Sequence, residues 1–77
     1  MVKIMRIEWV DSWAVPGWQN HMDCHGELIR CDSVGFVVEE HEDYICLAGS
    51  RGITEGIRPF ADLITIPRCS IVEQKEI

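Results

Sequence analysis

Basic residues are scarce in this sequence, and a long apolar run is missing altogether. Seven lysines and arginines stand against thirteen acids, a formal charge of -6. Attraction between such cations and phosphate supplies most non-specific affinity for nucleic acid, so unaided DNA or RNA binding is not expected. No stretch reaches the roughly 18 to 20 consecutive apolar residues that a membrane helix needs. Met1 to Val10 breaks its apolar positions with Lys3, Arg6 and Glu8, which is unlike a signal peptide. Repeats and low-complexity tracts are lacking too. Length sets a further bound, because a chain near 77 residues buries only about 60% of its unfolded surface. A deep cofactor cavity would compete with the core, and no cofactor is expected. Residues 1–77 read as one small domain.

Four cysteines, Cys24, Cys31, Cys46 and Cys69, make an even count. Disulfide frameworks belong to exported chains; without an export signal these read as reduced thiols of a cytoplasmic protein. Cys46, inside the apolar run from Tyr44 to Ala48, reads as a small buried hydrophobe.

Period-two alternation dominates what is present. Residues 3–10 place Met5, Ile7 and Trp9 on one side of a strand and Arg6 and Glu8 on the other. Residues 28–40 alternate again, grouping Val34, Phe36 and Val38, with Gly35 marking a bulge or corner bend. The acidic run from Glu39 to Asp43 reads as a hairpin tip before a strand over 43–48. Three glycines and a proline make 49–59 a loop. A strand over 60–66 ends at Pro67, one tight turn follows, and 71–77 forms the last strand despite the Ser70 to Glu73 capping-box spacing, because seven residues are too few for a stable helix. The expected architecture is all-β: a small five-stranded SH3-like barrel, with a long first loop and a one-turn break before the last strand. Pairing the first strand with the last would remove exposed edges.

The first connection, residues 11–27, is longer than the usual ~12 to 15 residues of a loop without structure of its own. It carries Trp13 and Trp18, with Pro16 and Gly17 setting a turn just ahead of Trp18. Tryptophan on a loop is a favoured binding anchor; the competing reading has the loop folding over an open barrel end, with Trp18 as plug. His21, Cys24, His25 and Cys31 are ligand types that zinc prefers, but adjacent Cys24 and His25, and the six residues between Cys24 and Cys31, do not match ribbon or finger spacing. Arg51 and Arg58, interleaved with Gly49, Gly52 and Gly56, could hold an anion, though no nucleotide-binding fingerprint is present. Ser12, Ser33, Ser50 and Ser70 lack a nucleophile-elbow pattern, and no paired carboxylates argue for catalysis. An enzyme is not expected.

Three segments, Ile7 to Trp13 with Gly17 and Trp18, Cys31 to Glu40, and Asp62 to Ile71, resemble the body of a family of small, largely uncharacterised proteins encoded by bacteriophages and prophages. The resemblance covers most of the chain. It implies a setting, the cytoplasm of a bacterial host cell, and brings no catalytic residues. The functional expectation is a non-enzymatic accessory protein, serving host takeover or counter-defence, that binds a host or phage protein. Trp13 and Trp18 would be its anchors, with Glu40, Glu42 and Asp43 steering a basic partner. The alternatives are a homo-oligomeric sponge that holds a small anionic ligand, such as a nucleotide signal, at Arg51 and Arg58, or a small zinc-binding module at His21, Cys24, His25 and Cys31.

Overall fold

The computed structural model describes residues 2–77. Five antiparallel strands make one sheet: β1 (Ile4–Ser12), β2 (Leu28–Glu40), β3 (Tyr44–Arg51), β4 (Phe60–Pro67) and β5 (Ile71–Glu76), in the order β4-β3-β2-β1-β5. First and last strands pair as expected. The ladder stops there, leaving β4 and β5 as the two edges of a sheet that does not close on itself. Among the described residues there is no α-helix, only two 3-10 turns, His21–Asp23 and Arg68–Ser70. No helix among the described residues is long and apolar enough to cross a membrane.

The long strand β2 organises the sheet. Its first part pairs with β1, from Leu28 opposite Ser12 to Phe36 opposite Ile4, and its last part pairs with β3, beginning at Phe36 opposite Ala48. Gly35 sits where the partner changes; a Cβ there would lie 2.7 Å from the Ala48 carbonyl oxygen. Only glycine allows β3 to come so close. The register shift expected at this bend falls later, between Val37 and Glu39.

Met5, Ile7, Trp9, Ile45, Leu47 and Ile66 form the core, with Cys31, Val37 and Ile71 packed against it. Burying each large apolar side chain stabilises by about 1.5–3 kcal/mol. The grouping of Val34, Phe36 and Val38 marks the outer face of β2, where Val34 is exposed; cross-strand partners share a face, so Gly35 opposite Met5, Ser33 opposite Ile7 and Cys31 opposite Trp9 point inward. Small and polar residues on the inner face make room for the Trp9 indole, whose Nε1–H donates to the Ser33 hydroxyl at 3.0 Å. Cys46 is buried as expected, but outside this cluster.

Arg68 ties the break before β5 to the rest. Its amide donates to the Asp43 carbonyl at 2.9 Å, its Nε to the His41 carbonyl at 2.9 Å and its Nη1 to the Gln74 side chain at 3.4 Å.

The expected loop over 49–59 is largely a ribbon. β3 runs on to Arg51 opposite Phe60, the Gly52 amide donates to the Pro59 carbonyl at 2.8 Å, and Thr54 bridges Ile57. Gly56, at φ 79°, takes the position that a type II turn reserves for positive φ. Asp62 is the one non-glycine described residue with positive φ, at 59°, and lies in β4 across from Gly49.

Candidate functional site: the first arm

Beyond Trp9, where β5 stops pairing, β1 and β2 continue alone as a two-stranded ribbon to Ser12 opposite Leu28. Residues 13–27 cap it as an arm in which every residue is exposed. Gly17 adopts φ 87° and turns the chain immediately before Trp18. The 3-10 turn is closed by the Asp23 amide on the Asn20 carbonyl at 2.9 Å and the Cys24 amide on the His21 carbonyl at 3.2 Å, while the Cys24 thiol also donates to the Asn20 carbonyl at 3.3 Å. These local bonds shape a cleft of about 490 Å³ between Trp13 and Val15 on one side and Asp23, Cys24 and His25 on the other.

Both tryptophans are available for contact. Trp13 is half-exposed on the cleft wall, and Trp18 is fully exposed, as is Met22 nearby in sequence. Trp18 is therefore no plug. The tryptophan committed to the interior is Trp9.

The acidic turn lies elsewhere. β2 leads from the arm at Leu28 to Glu40, so the turn at 41–43 stands at the other end of a thirteen-residue strand roughly 40 Å in contour length. Glu40 is paired with Lys3 at 3.1 Å. Glu39 accepts from the Tyr44 hydroxyl and lies against His41 Nε2, each at 3.2 Å, and the His41 and Tyr44 rings stack with centroids 4.3 Å apart. Loss of water around the Tyr44 ring, and then the Glu39 carboxylate, push the phenol above its ordinary pKa. Glu42 and Asp43 make no side-chain hydrogen bond or ion pair among the described residues. The tryptophans and the acids named from the sequence are thus not gathered into one site.

The four zinc candidates are not gathered either. His21, Cys24 and His25 lie on the exposed arm, whereas Cys31 is on β2 and packs against the core. Among the described residues no three His, Cys, Asp or Glu side chains converge as metal ligands. Arg51 and Arg58 sit on the second ribbon. The Arg51 guanidinium lies over the Phe36 ring at 5.2 Å and its Nε is buried without a hydrogen-bond partner, while Arg58 is exposed near the tip. The amides of Gly52 and Ile57 are already used within the ribbon, donating to the Pro59 and Thr54 carbonyls, and Gly56 at φ 79° shapes its turn.

Charge pairs elsewhere on β1 and β2 are surface features. Arg6 donates to Asp32 through Nε at 3.1 Å and Nη2 at 2.7 Å, which raises the Arg6 pKa, and Arg30 pairs with Glu8 at 2.8 Å. No protein-family model, curated protein or solved structure matches this chain.

Proposed function

We propose that this chain is a non-enzymatic accessory protein of the phage or prophage kind that its sequence resembles, and that it binds a bacterial or phage protein through the first arm. The observation that carries the reading is the exposure of Trp13, Val15, Trp18 and Met22 together on one projecting arm. Isolated apolar residues on a surface need no explanation, but four large ones exposed within ten residues of one arm, two of them lining one cleft, do. Tryptophan supplies rigid contact area at low entropic cost, and the β1–β2 ladder holds the base of the arm.

The strand order and the single 3-10 turn before β5 support an SH3-like barrel as the finer description of the scaffold. Four free cysteines accord with a reducing host cytoplasm. Glu42 and Asp43 contribute a field rather than a contact at the arm.

The test compares captures from bacterial lysate by the wild-type chain, by Trp13→Ala with Trp18→Ala, and by an unrelated acidic protein of similar size. Wild type should enrich a protein that the double variant loses by at least about tenfold, the effect of one or two anchor residues. Both side chains lie outside the core, so the variant should melt with wild type. Equal capture by the two forms would overturn the proposal.

A further inference from the structure

We infer that the cleft of the first arm takes an arginine side chain of the partner, its guanidinium laid on the Trp13 indole and its N–H groups turned to the carboxylates of Asp23 and Glu27. This rests on the arm's binding of a protein and adds the chemistry of what the arm holds.

The β1–β2 ladder sets the aromatic wall and one acid at the same level. Ser12 opposite Leu28 is the last pair, so Trp13 and Glu27 follow it on either side of the ribbon, at the base of the arm. The 3-10 turn brings the second acid, since Asp23 lines the same cleft as Trp13, Val15 and Glu27. Neither carboxylate is committed. Among the described residues the Asp23 and Glu27 side chains make no hydrogen bond or ion pair, whereas Asp11 accepts from the Ser12 amide at 2.7 Å.

Charge around the cleft has one sign. Between Val10 and Arg30 the chain carries Asp11, Asp23 and Glu27 and no lysine or arginine. Arg30, the nearest of these cations in sequence, is engaged by Glu8 at 2.8 Å, and no lysine or arginine lines the cleft. The arm's histidines, His21 and His25, add no charge in their neutral form.

Other occupants fit less well. An anion would meet two carboxylates, and an apolar group would strip their water and return nothing. A bare metal ion lacks a ligand set, because no three His, Cys, Asp or Glu side chains converge among the described residues. An ammonium matches the charge but is a compact, strongly hydrated point. A guanidinium is planar and more weakly hydrated, stacks on an indole face and carries N–H donors around its edge, which suits one flat wall and two separate carboxylates. The cleft, about 490 Å³, is within the ~300–1,000 Å³ of ligand sites. Trp18 is fully exposed and outside it, so the two tryptophans have different tasks.

Nuclear magnetic resonance of the full chain at 0.1 M salt, where exposed charges beyond about 10 Å are screened, tests this with three capped tripeptides. Each has glycine on both sides of arginine, lysine or citrulline, the last an uncharged isostere of arginine. Arginine should give a saturable shift of the Trp13 indole N–H and of the amides over 23–27, leaving Trp9 and the acidic turn at 41–43 unmoved. Lysine should bind at least about threefold more weakly, and citrulline at least about tenfold. Trp13→Ala, and separately Asp23→Asn with Glu27→Gln, should each weaken arginine by at least about fivefold. All three side chains lie outside the core, circular dichroism checks the fold, and the citrulline comparison needs no variant. No saturable shift with arginine, citrulline or lysine as tight as arginine, or shifts spread equally over 41–43 would overturn the inference. Capture from lysate separates it from the arm's role. A protein lost by Trp13→Ala with Trp18→Ala but kept by Asp23→Asn with Glu27→Gln would sink the arginine and leave the arm as the binding element; arginine shifts at the cleft with no protein captured would do the reverse.

Discussion

Tyr44 shows how one side chain reports its surroundings. It is the chain's single tyrosine, half-buried, stacked on His41 and donating to Glu39. Loss of solvent first, and the carboxylate second, disfavour the phenolate and raise its pKa. A group whose folded pKa lies above its unfolded value contributes stability that is present below the unfolded value, about 10 for tyrosine, and is lost as pH rises through the folded one. Tyrosinate absorbance should therefore show a midpoint above about 10, and the melting temperature should fall on the alkaline side of that pH. Tyr44→Phe should flatten this alkaline limb while leaving neutral behaviour close to wild type. A midpoint at or below the ordinary value would contradict the packing described. The same scale explains why Trp9 and Trp18, alike in composition, differ in role: Trp9 alternates with Met5 and Ile7 on a paired strand, whereas Trp18 follows a glycine turn on an arm that no other element covers.

Among the elements, strands were more legible than their connections, for a physical reason. Alternation placed Met5, Ile7 and Trp9 inward and bounded β2 at Leu28 and Glu40, because a paired strand buries every second residue. It misleads within β2, where both faces are partly apolar and the inner one carries Ser33 and Gly35 to accommodate Trp9 and β3. The second ribbon was hidden because glycine and proline mark loops and hairpin turns alike; Gly56 between Thr54 and Ile57 was the available signal for a hairpin. An arm has no period, so the exposure of Trp13 and Trp18 could not be read from pattern. The structure adds that residues 13–27 contribute nothing to the core. Replacing them with Asn-Gly between Ser12 and Leu28, opposed partners in the ladder, should yield a two-residue hairpin turn and a shorter loop to close. The expected change in stability is within about 1 kcal/mol of wild type by chemical denaturation, and nearer gain than loss. Unfolding of the shortened chain would mean that the arm supports the sheet, which the exposure of all its residues argues against.

At the scale of the whole molecule, distance decides what the acidic turn can do for a partner held on the first arm. The chain extends 58 Å along its longest axis, and β2 alone separates arm from turn by thirteen residues. Exposed charges are screened beyond about 10 Å at 0.1 M salt and beyond about 30 Å at 0.01 M. At a separation slightly beyond one screening length at 0.01 M salt and several at 0.1 M, Glu42 and Asp43 act on an arm-bound partner weakly at low salt and hardly at all at physiological salt, unless that partner is long enough to reach toward the turn. Neutralising both, Glu42→Gln with Asp43→Asn, should slow association with a basic partner by about twofold at 0.01 M salt and leave it unchanged at 0.1 M, with the dissociation rate unchanged at both. Stopped-flow measurements at the two salts separate the cases. A slowing that persists at 0.1 M, joined by faster dissociation, would place the turn in direct contact with the partner. The binding surface would then run along β2 from arm to turn, a span that one chain can offer only to a partner of comparable length.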